Sequence, residues 1–127
     1  MEKKQETRNN NQTRGKKFDL EERSTEMARR VVHLCKSVKP SAVNQRIITQ
    51  LIGSAGSVGA NYREANDALG KKDFVHRLKI ARKEAKEAMH WLELLREAHS
   101  ELGDEIDSLH QETLELRNIL SAIISKV

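Results

Sequence analysis

At 127 residues, with 33% of them charged, only 3% aromatic and a net charge of +4, the chain has the size of one domain and a composition that favours helices over sheet. Cys35 is the single cysteine, which excludes a disulfide framework and a cysteine zinc site. No apolar run is long enough to span a bilayer and no charged-then-apolar leader opens the chain, so a soluble, cytoplasmic protein without a membrane partner is expected.

The charge excess is placed unevenly. Residues 1–17 hold Lys3, Lys4, Arg8, Arg14, Lys16 and Lys17 against Glu2 and Glu6, and the remainder is neutral. This Asn- and Gln-containing stretch has nothing to bury and is expected to be a disordered basic arm. Two roles fit it: neutralising phosphates of a nucleic acid, or keeping the chain soluble without any partner.

From residue 18 to 127 the apolar residues fall into four helical stretches. Leu20, Met27, Val31, Leu34 and Val38 mark the first, which the pattern ends at Lys39-Pro40, because a residue before proline is pushed out of the helical region. Ile48, Leu51, Ala55, Val58, Tyr62, Ala65 and Leu69 mark the second, with Gly70 as its expected terminal cap. Phe74, Leu78, Ala81, Ala85, Ala88, Leu92 and Leu95 form the third. Ile106, Leu109, Thr113, Leu116, Leu120, Ile123 and Val127 follow a break at Gly103-Asp104. Spacing that alternates between three and four is the seam of helices packed at shallow angles. The expected fold is all-α, an antiparallel up-down four-helix bundle carrying the basic arm. Cys35 reads as a small core residue. Ile47, Ile52, Val75, Ile80, Met89, Trp91, Ile119 and Ile124 lie off the seams; they either widen the core or are covered by another subunit.

The second stretch contains "GSAGSVGANYREAN", with Gly53, Gly56 and Gly59 inside a helix. Each costs about 1 kcal/mol relative to alanine. With the seam inward, Gly53, Gly56 and Ala60 project to the opposite side at about 100° per residue, Ser57 sits beside them, and Gly59 lies nearer the seam's flank. A smooth stripe of this kind lets a second backbone come close. The expected neighbour is a sister subunit or, second, a nucleic-acid backbone. Ser54, Ser57, Asn61 and Glu64 form an adjoining polar strip, which reads either as solvated surface with local hydrogen bonds or as a hydrogen-bonded seam between helices or subunits.

Catalytic chemistry finds little footing. Gly70-Lys71 has neither the earlier glycine nor the following Ser or Thr of a phosphate loop. Glu87 and His90 have the Glu-x-x-His spacing of di-metal bundles, and Asp107 and His110 a weaker version, but Glu87 and His90 point away from the seam and no second Glu-x-x-His exists. No nucleophile has a base and orienting partner, so no catalytic residue, metal, cofactor or small-molecule substrate is expected. The third helix has a clear electrostatic face: Lys72, His76, Lys79, Lys83 and Lys86 point one way, with Arg77 and Arg82 flanking. From Glu87 to Glu115 acidic residues dominate, so one end of the bundle is expected to be basic and the other acidic. The basic face suits phosphate backbones; a solvated face, or opposed charges that orient subunits, are the other readings.

Residues 51–95 resemble the four-helix-bundle family encoded within intervening sequences of 23S ribosomal RNA genes. Of that family's Ser-Ile-Pro-Ser-Asn-Ile-Ala-Glu-Gly core, "SVGANYREA" retains Ser57, Asn61 and Glu64, and "DFVHRLKIA" retains Phe74, Leu78, Ile80 and Ala81 of its next motif. Glu87 matches a later acidic position, while Gly59 and Ala65 replace the motif's proline and glycine. The resemblance implies a homo-oligomer, with rings of five among relatives, and no enzymatic activity. A related group, the accessory proteins of diversity-generating retroelements, forms basic rings that work with nucleic acid, so RNA or DNA is an implied partner. The alternative expectation is an oligomeric adaptor that binds another protein and no nucleic acid.

Overall fold

The computed structural model describes residues 19–127. Four helices follow one another: α1 (Leu20–Lys36), α2 (Ala42–Asn66), α3 (Lys71–Ala98) and α4 (Gly103–Ser125), with a short 3-10 turn, Ser100–Leu102, ahead of α4. Contacts join α1 to α2, α2 to α3, α3 to α4 and α4 back to α1, and neither diagonal pair meets. With such short connections this is the up-down-up-down bundle.

Local chemistry starts the first two helices. Asp19 accepts from the Glu22 N–H at 3.3 Å and Ser41 from the Asn44 N–H at 3.0 Å, each satisfying an amide that the helix cannot. Glu21 and Glu22 in the first turn of α1, with Lys36 in its last, also suit the helix dipole. α3 starts differently. Gly70 offers no side-chain cap, and Lys71 and Lys72 put positive charge at the positive end of the dipole, offset in that turn by Asp73.

The expected boundaries need three corrections. α1 ends at Lys36, where the Ser37 N–H closes onto Leu34, rather than at Lys39-Pro40. α2 ends at Asn66, so Leu69 belongs to the loop and is fully exposed, while the Gly70 carbonyl accepts from Phe74 and opens α3. The Gly103-Asp104 break lies one turn earlier, in the 3-10 turn, and Gly103 already belongs to α4. A Cβ on Gly103 would come within 2.9 Å of the Arg96 guanidinium, the far end of a flexible side chain that can give way.

Met27, Val31, Leu51, Val58, Leu78, Leu92, Leu95, Ile106, Leu109 and Leu116 fill the core with almost no exposure. Each contributes about 1.5–3 kcal/mol through removal from water. Ala81, Ala85 and Ala88 are also fully buried, and these short side chains let α2 and α3 form the most extensive pair. Ile47 joins the core, and Ile124 and Trp91 pack against it, so part of the off-seam apolar set widens the interior. Buried hydroxyls are satisfied by their own helices: Ser24 donates to the Leu20 carbonyl at 2.7 Å and Thr113 to Leu109 at 2.7 Å. At one end a partly buried polar clamp joins two connections. Asn44 Nδ2 donates to the Lys39 carbonyl at 2.7 Å, its Oδ1 meets His99 Nε2 at 2.7 Å, and His99 Nδ1 faces Glu101 at 3.1 Å.

Candidate nucleic-acid interface

Helical periodicity places Lys72, His76, Lys79, Lys83 and Lys86 on one outward face of α3, and all five are exposed. Lys71 joins them in a shallow, open hollow lined by Lys71, Lys72, Val75, His76 and Lys79. Arg82 and Arg77 are half-buried on the two flanks. Arg77 pairs within the helix, 3.9 Å from Asp73, whereas Arg82 reaches across to the Ser121 hydroxyl of α4 at 3.4 Å. The arm residues Lys3, Lys4, Arg8, Arg14, Lys16 and Lys17 lie outside the described residues.

Ion pairs divide the two kinds of base sharply. Arg23 binds Glu112 and Glu115 at 2.7 Å each, Arg30 meets Glu105 at 3.4 Å, Arg63 meets Glu21 at 3.0 Å, and Arg96 meets Asp107 at 2.7 Å. Among the described residues no lysine takes part in an ion pair. Acidic side chains of α4 are thus engaged by arginines of α1 and α3, and the lysine face of α3 keeps its charge. The same contacts set carboxyl affinities. Asp107 is held below the ordinary carboxylate range chiefly by its bond from Arg96, and Glu115 by bonds from Gln111 and then Arg23. Glu101 is lowered by its own backbone N–H and then by His99.

One antiparallel register ties α3 to α4. Arg96 faces Asp107, Glu93 faces His110 at 2.8 Å, and Arg82 faces Ser121, so every step along α3 is matched by an equal step back along α4. That register sets Arg117 abreast of Lys86. Along that register the groove carries the Arg96–Asp107 and Glu93–His110 pairs toward one end and Arg82, Lys86 and Arg117 toward the other. Arg117 and Lys71 escaped the sequence reading. Pairing the two seams antiparallel would have found Arg117, whose position along α4 alone is unremarkable.

On α2 the outward stripe is where the periodicity put it. Gly53, Gly56 and Ala60 are exposed, and a Cβ added at Gly53 or Gly56 meets nothing within 4 Å. Gly59 is different: it is buried against α1, and its Cβ would lie 3.0 Å from Ser24 Oγ. In the polar strip, Ser54 is buried and donates to the Gln50 carbonyl at 2.9 Å, and Asn61 donates to Ser57 at 2.9 Å. Ser57 and Asn61 are half-buried and Glu64 is exposed. Ile52, beside the stripe, is 39% exposed. Local bonding to carbonyls thus occupies the donors of Ser54 and Asn61.

Glu87 accepts from the Trp91 indole at 3.2 Å, and His90 is exposed with its ring edge-on to Trp91 at 5.1 Å. Neither faces the bundle interior. Among the described residues no three His, Cys, Asp or Glu side chains are grouped to hold a metal ion, and no helix is long and apolar enough to cross a membrane.

The fold is that of a small helical bundle with a charge-divided outer groove, and the comparisons supply its family. Residues 16–122 match the model of the 23S rRNA-intervening sequence protein family, and the chain belongs to that family. A crystal structure of a protein with unknown function from Bacteroides thetaiotaomicron, of the S23 ribosomal protein family, is similar at 34% identity and a TM-score of 0.73. The match covers 84% of this chain and 98% of that one. No curated protein matches the chain.

Proposed function

We propose that this protein is a non-enzymatic, cytoplasmic homo-oligomer that associates with the phosphate backbone of RNA or DNA through the α3 face, using Lys72, Lys79, Arg82, Lys83 and Lys86, with the basic arm as a second contact. The observation that carries this reading is the ion-pair division: Arg23, Arg30, Arg63 and Arg96 are engaged by acids of neighbouring helices, while the α3 lysines have no acidic partner among the described residues. Lys71 and Lys72 add support. Two positive charges in the first turn of a helix oppose its dipole, and a bound anion offsets that cost. Oligomerisation is proposed through the outer stripe of α2, Gly53, Gly56 and Ala60, with Ser57, Asn61 and Glu64 at its margin, in a ring of the kind the family resemblance implies. A ring repeats the basic face and multiplies weak phosphate contacts into useful avidity.

The test is retention of a mixed pool of RNA and DNA fragments by the full-length protein at low salt, followed by release as salt is raised. Binding that falls steeply with salt is expected, because each neutralised phosphate releases counterions. Absence of retention at low salt overturns the reading and leaves the protein-binding adaptor as the better description.

A further inference from the structure

Resting on the nucleic-acid reading above, we infer that the preferred ligand is a duplex, gripped by its sugar-phosphate backbone across the basic half of the α3–α4 groove, without reading base sequence. Arg117 of α4 belongs to the grip.

The register carries the placement. Arg82 touches Ser121, Glu93 meets His110, and continuing that register puts Lys86 level with Arg117. After Glu115, α4 and the residues that follow it contain no acidic side chain: "LRNILSAIISKV" brings Arg117 and Lys126, with Asn118, Ser121 and Ser125 as neutral donors and acceptors. The basic surface therefore extends over two rigid helices rather than one. From Lys72 to Lys86 the α3 ladder spans about 21 Å at about 1.5 Å per residue. One strand of a duplex turns about its axis once in about 10 base pairs, so a straight ladder of this length meets a few phosphates where the backbone crosses it, and not one per base pair.

Two features disfavour a single strand. Grip on single-stranded nucleic acid rests on aromatic side chains that stack with bases, each worth about 1–3 kcal/mol. Among the described residues Phe74, Tyr62 and Trp91 all pack against the core, and the Trp91 indole is bound to Glu87; Phe18 lies outside the described residues. The lysine face itself has Val75 as its one apolar residue. Sequence readout is disfavoured on similar grounds. Base-specific contacts in a duplex come mainly from bidentate Arg, Asn or Gln. Arg82 is engaged with Ser121, and Arg117 directs Nε and Nη2 at Asn118, which occupies that amide's oxygen as well. Lysines, as point charges, and the charge and remaining N–H groups of Arg82 and Arg117 are left to meet phosphates.

The experiment is fluorescence anisotropy on the full-length protein with labelled RNA and DNA duplexes of about 20 base pairs, two helical turns. The component single strands and a scrambled duplex are measured alongside, each as a function of salt. Either duplex is expected to bind at least about tenfold tighter than its own strands, a factor that one or two lost stacking contacts supply. The scrambled duplex should match its parent. Lys79→Ala, Lys83→Ala and Lys86→Ala together should reduce the slope of log affinity against log salt by about 3, and Arg117→Gln by about 1. These side chains are surface groups, and circular dichroism verifies that each variant keeps its helices. No binding to any probe overturns the nucleic-acid reading itself. Binding in which single strands equal or exceed duplexes overturns the duplex inference and leaves the wider reading standing. A salt slope untouched by Arg117→Gln removes α4 from the grip, and one untouched by the lysine variants transfers binding away from α3.

Discussion

Substituting the two exposed glycines of α2 separates a helix that faces water from one that faces a sister chain. At Gly53 and Gly56 an added Cβ meets nothing within 4 Å, and both residues have ordinary helical backbone, so alanine fits within the subunit without strain. Each replacement should stabilise the isolated subunit by about 0.8–1 kcal/mol, the full difference in helix propensity, and the pair by about 2 kcal/mol. For a domain of about 100 residues this raises Tm by about 8–16 °C. Gly59→Ala is the internal control. Its Cβ would press on Ser24 Oγ at 3.0 Å, and that hydroxyl is already tied to the Leu20 and Glu21 carbonyls, so the propensity gain is offset and the variant should be no more stable than the parent. Gly56→Leu then tests assembly. Leucine is nearly as good a helix former as alanine, so the subunit keeps its helicity, but the side chain holds a neighbouring backbone away. Native mass and light scattering should show a smaller species. Melting is followed by circular dichroism at dilutions where the parent has dissociated, since association itself raises Tm. A Gly56→Leu variant with unchanged mass refutes the interface, as does a parent that is monomeric throughout.

The partly buried clamp, the acidic partners and the lone thiol each give a further test. Asn44→Ala leaves the Lys39 carbonyl and His99 Nε2 without their partner, and should cost about 1–3 kcal/mol in urea denaturation; a loss of a few tenths would mean that water replaces the amide at no cost. Asp107, Glu115 and Glu101 have carboxyls lowered in the folded state, so their stabilisation is complete above the unfolded range of about 4–4.5 and is lost as pH falls through the folded values. The urea midpoint should thus decline below about pH 4.5, and Asp107→Asn should show a shallower decline; an acid limb identical to the parent's contradicts the assignment. Burial pushes the Cys35 thiol up to about 11, so Ellman's reagent at pH 8 should label it only as fast as the chain unfolds, and rapid labelling of folded protein would show an open core.

Much of this was legible because the seams are regular. Alternating three-and-four spacing named the inward residues of α2, α3 and α4 down to Ala85 and Thr113, though Val127, expected on the fourth seam, lies past the end of α4 and is exposed; helical geometry then fixed the outward side of Gly53 and Gly56. Ends were read less well. Leu69 continued the period and was assigned to the seam, yet periodicity says nothing of where backbone hydrogen bonding stops, and it is fully exposed. Gly70 looked like a terminal cap, but it lies after the loop and its φ of 173° is ordinary extended backbone. Arg117 was missed for another reason. A side chain's neighbours across a groove depend on the register of two helices, which neither seam read by itself discloses. The three cross-groove contacts do.

That register also explains how a neutral bundle keeps a basic face. Arginine suits fixed, planar pairing with carboxylates, and Arg23, Arg30, Arg63 and Arg96 each bind acids from another segment of the chain. Helical position puts Glu112, Glu115 and Glu105 on the side of α4 that faces α1, where Arg23 and Arg30 pair with them. Reversing the pair therefore has a consequence remote from α1: Arg23→Ala leaves Glu112 and Glu115 without their cation, and their charge then competes for the groove. Affinity for a nucleic-acid duplex should fall in Arg23→Ala although α1 makes no contact with the ligand, and Glu112→Gln with Glu115→Gln added should restore it. Failure of that rescue would show that α1 closes the bundle and has no part in setting the field of α3.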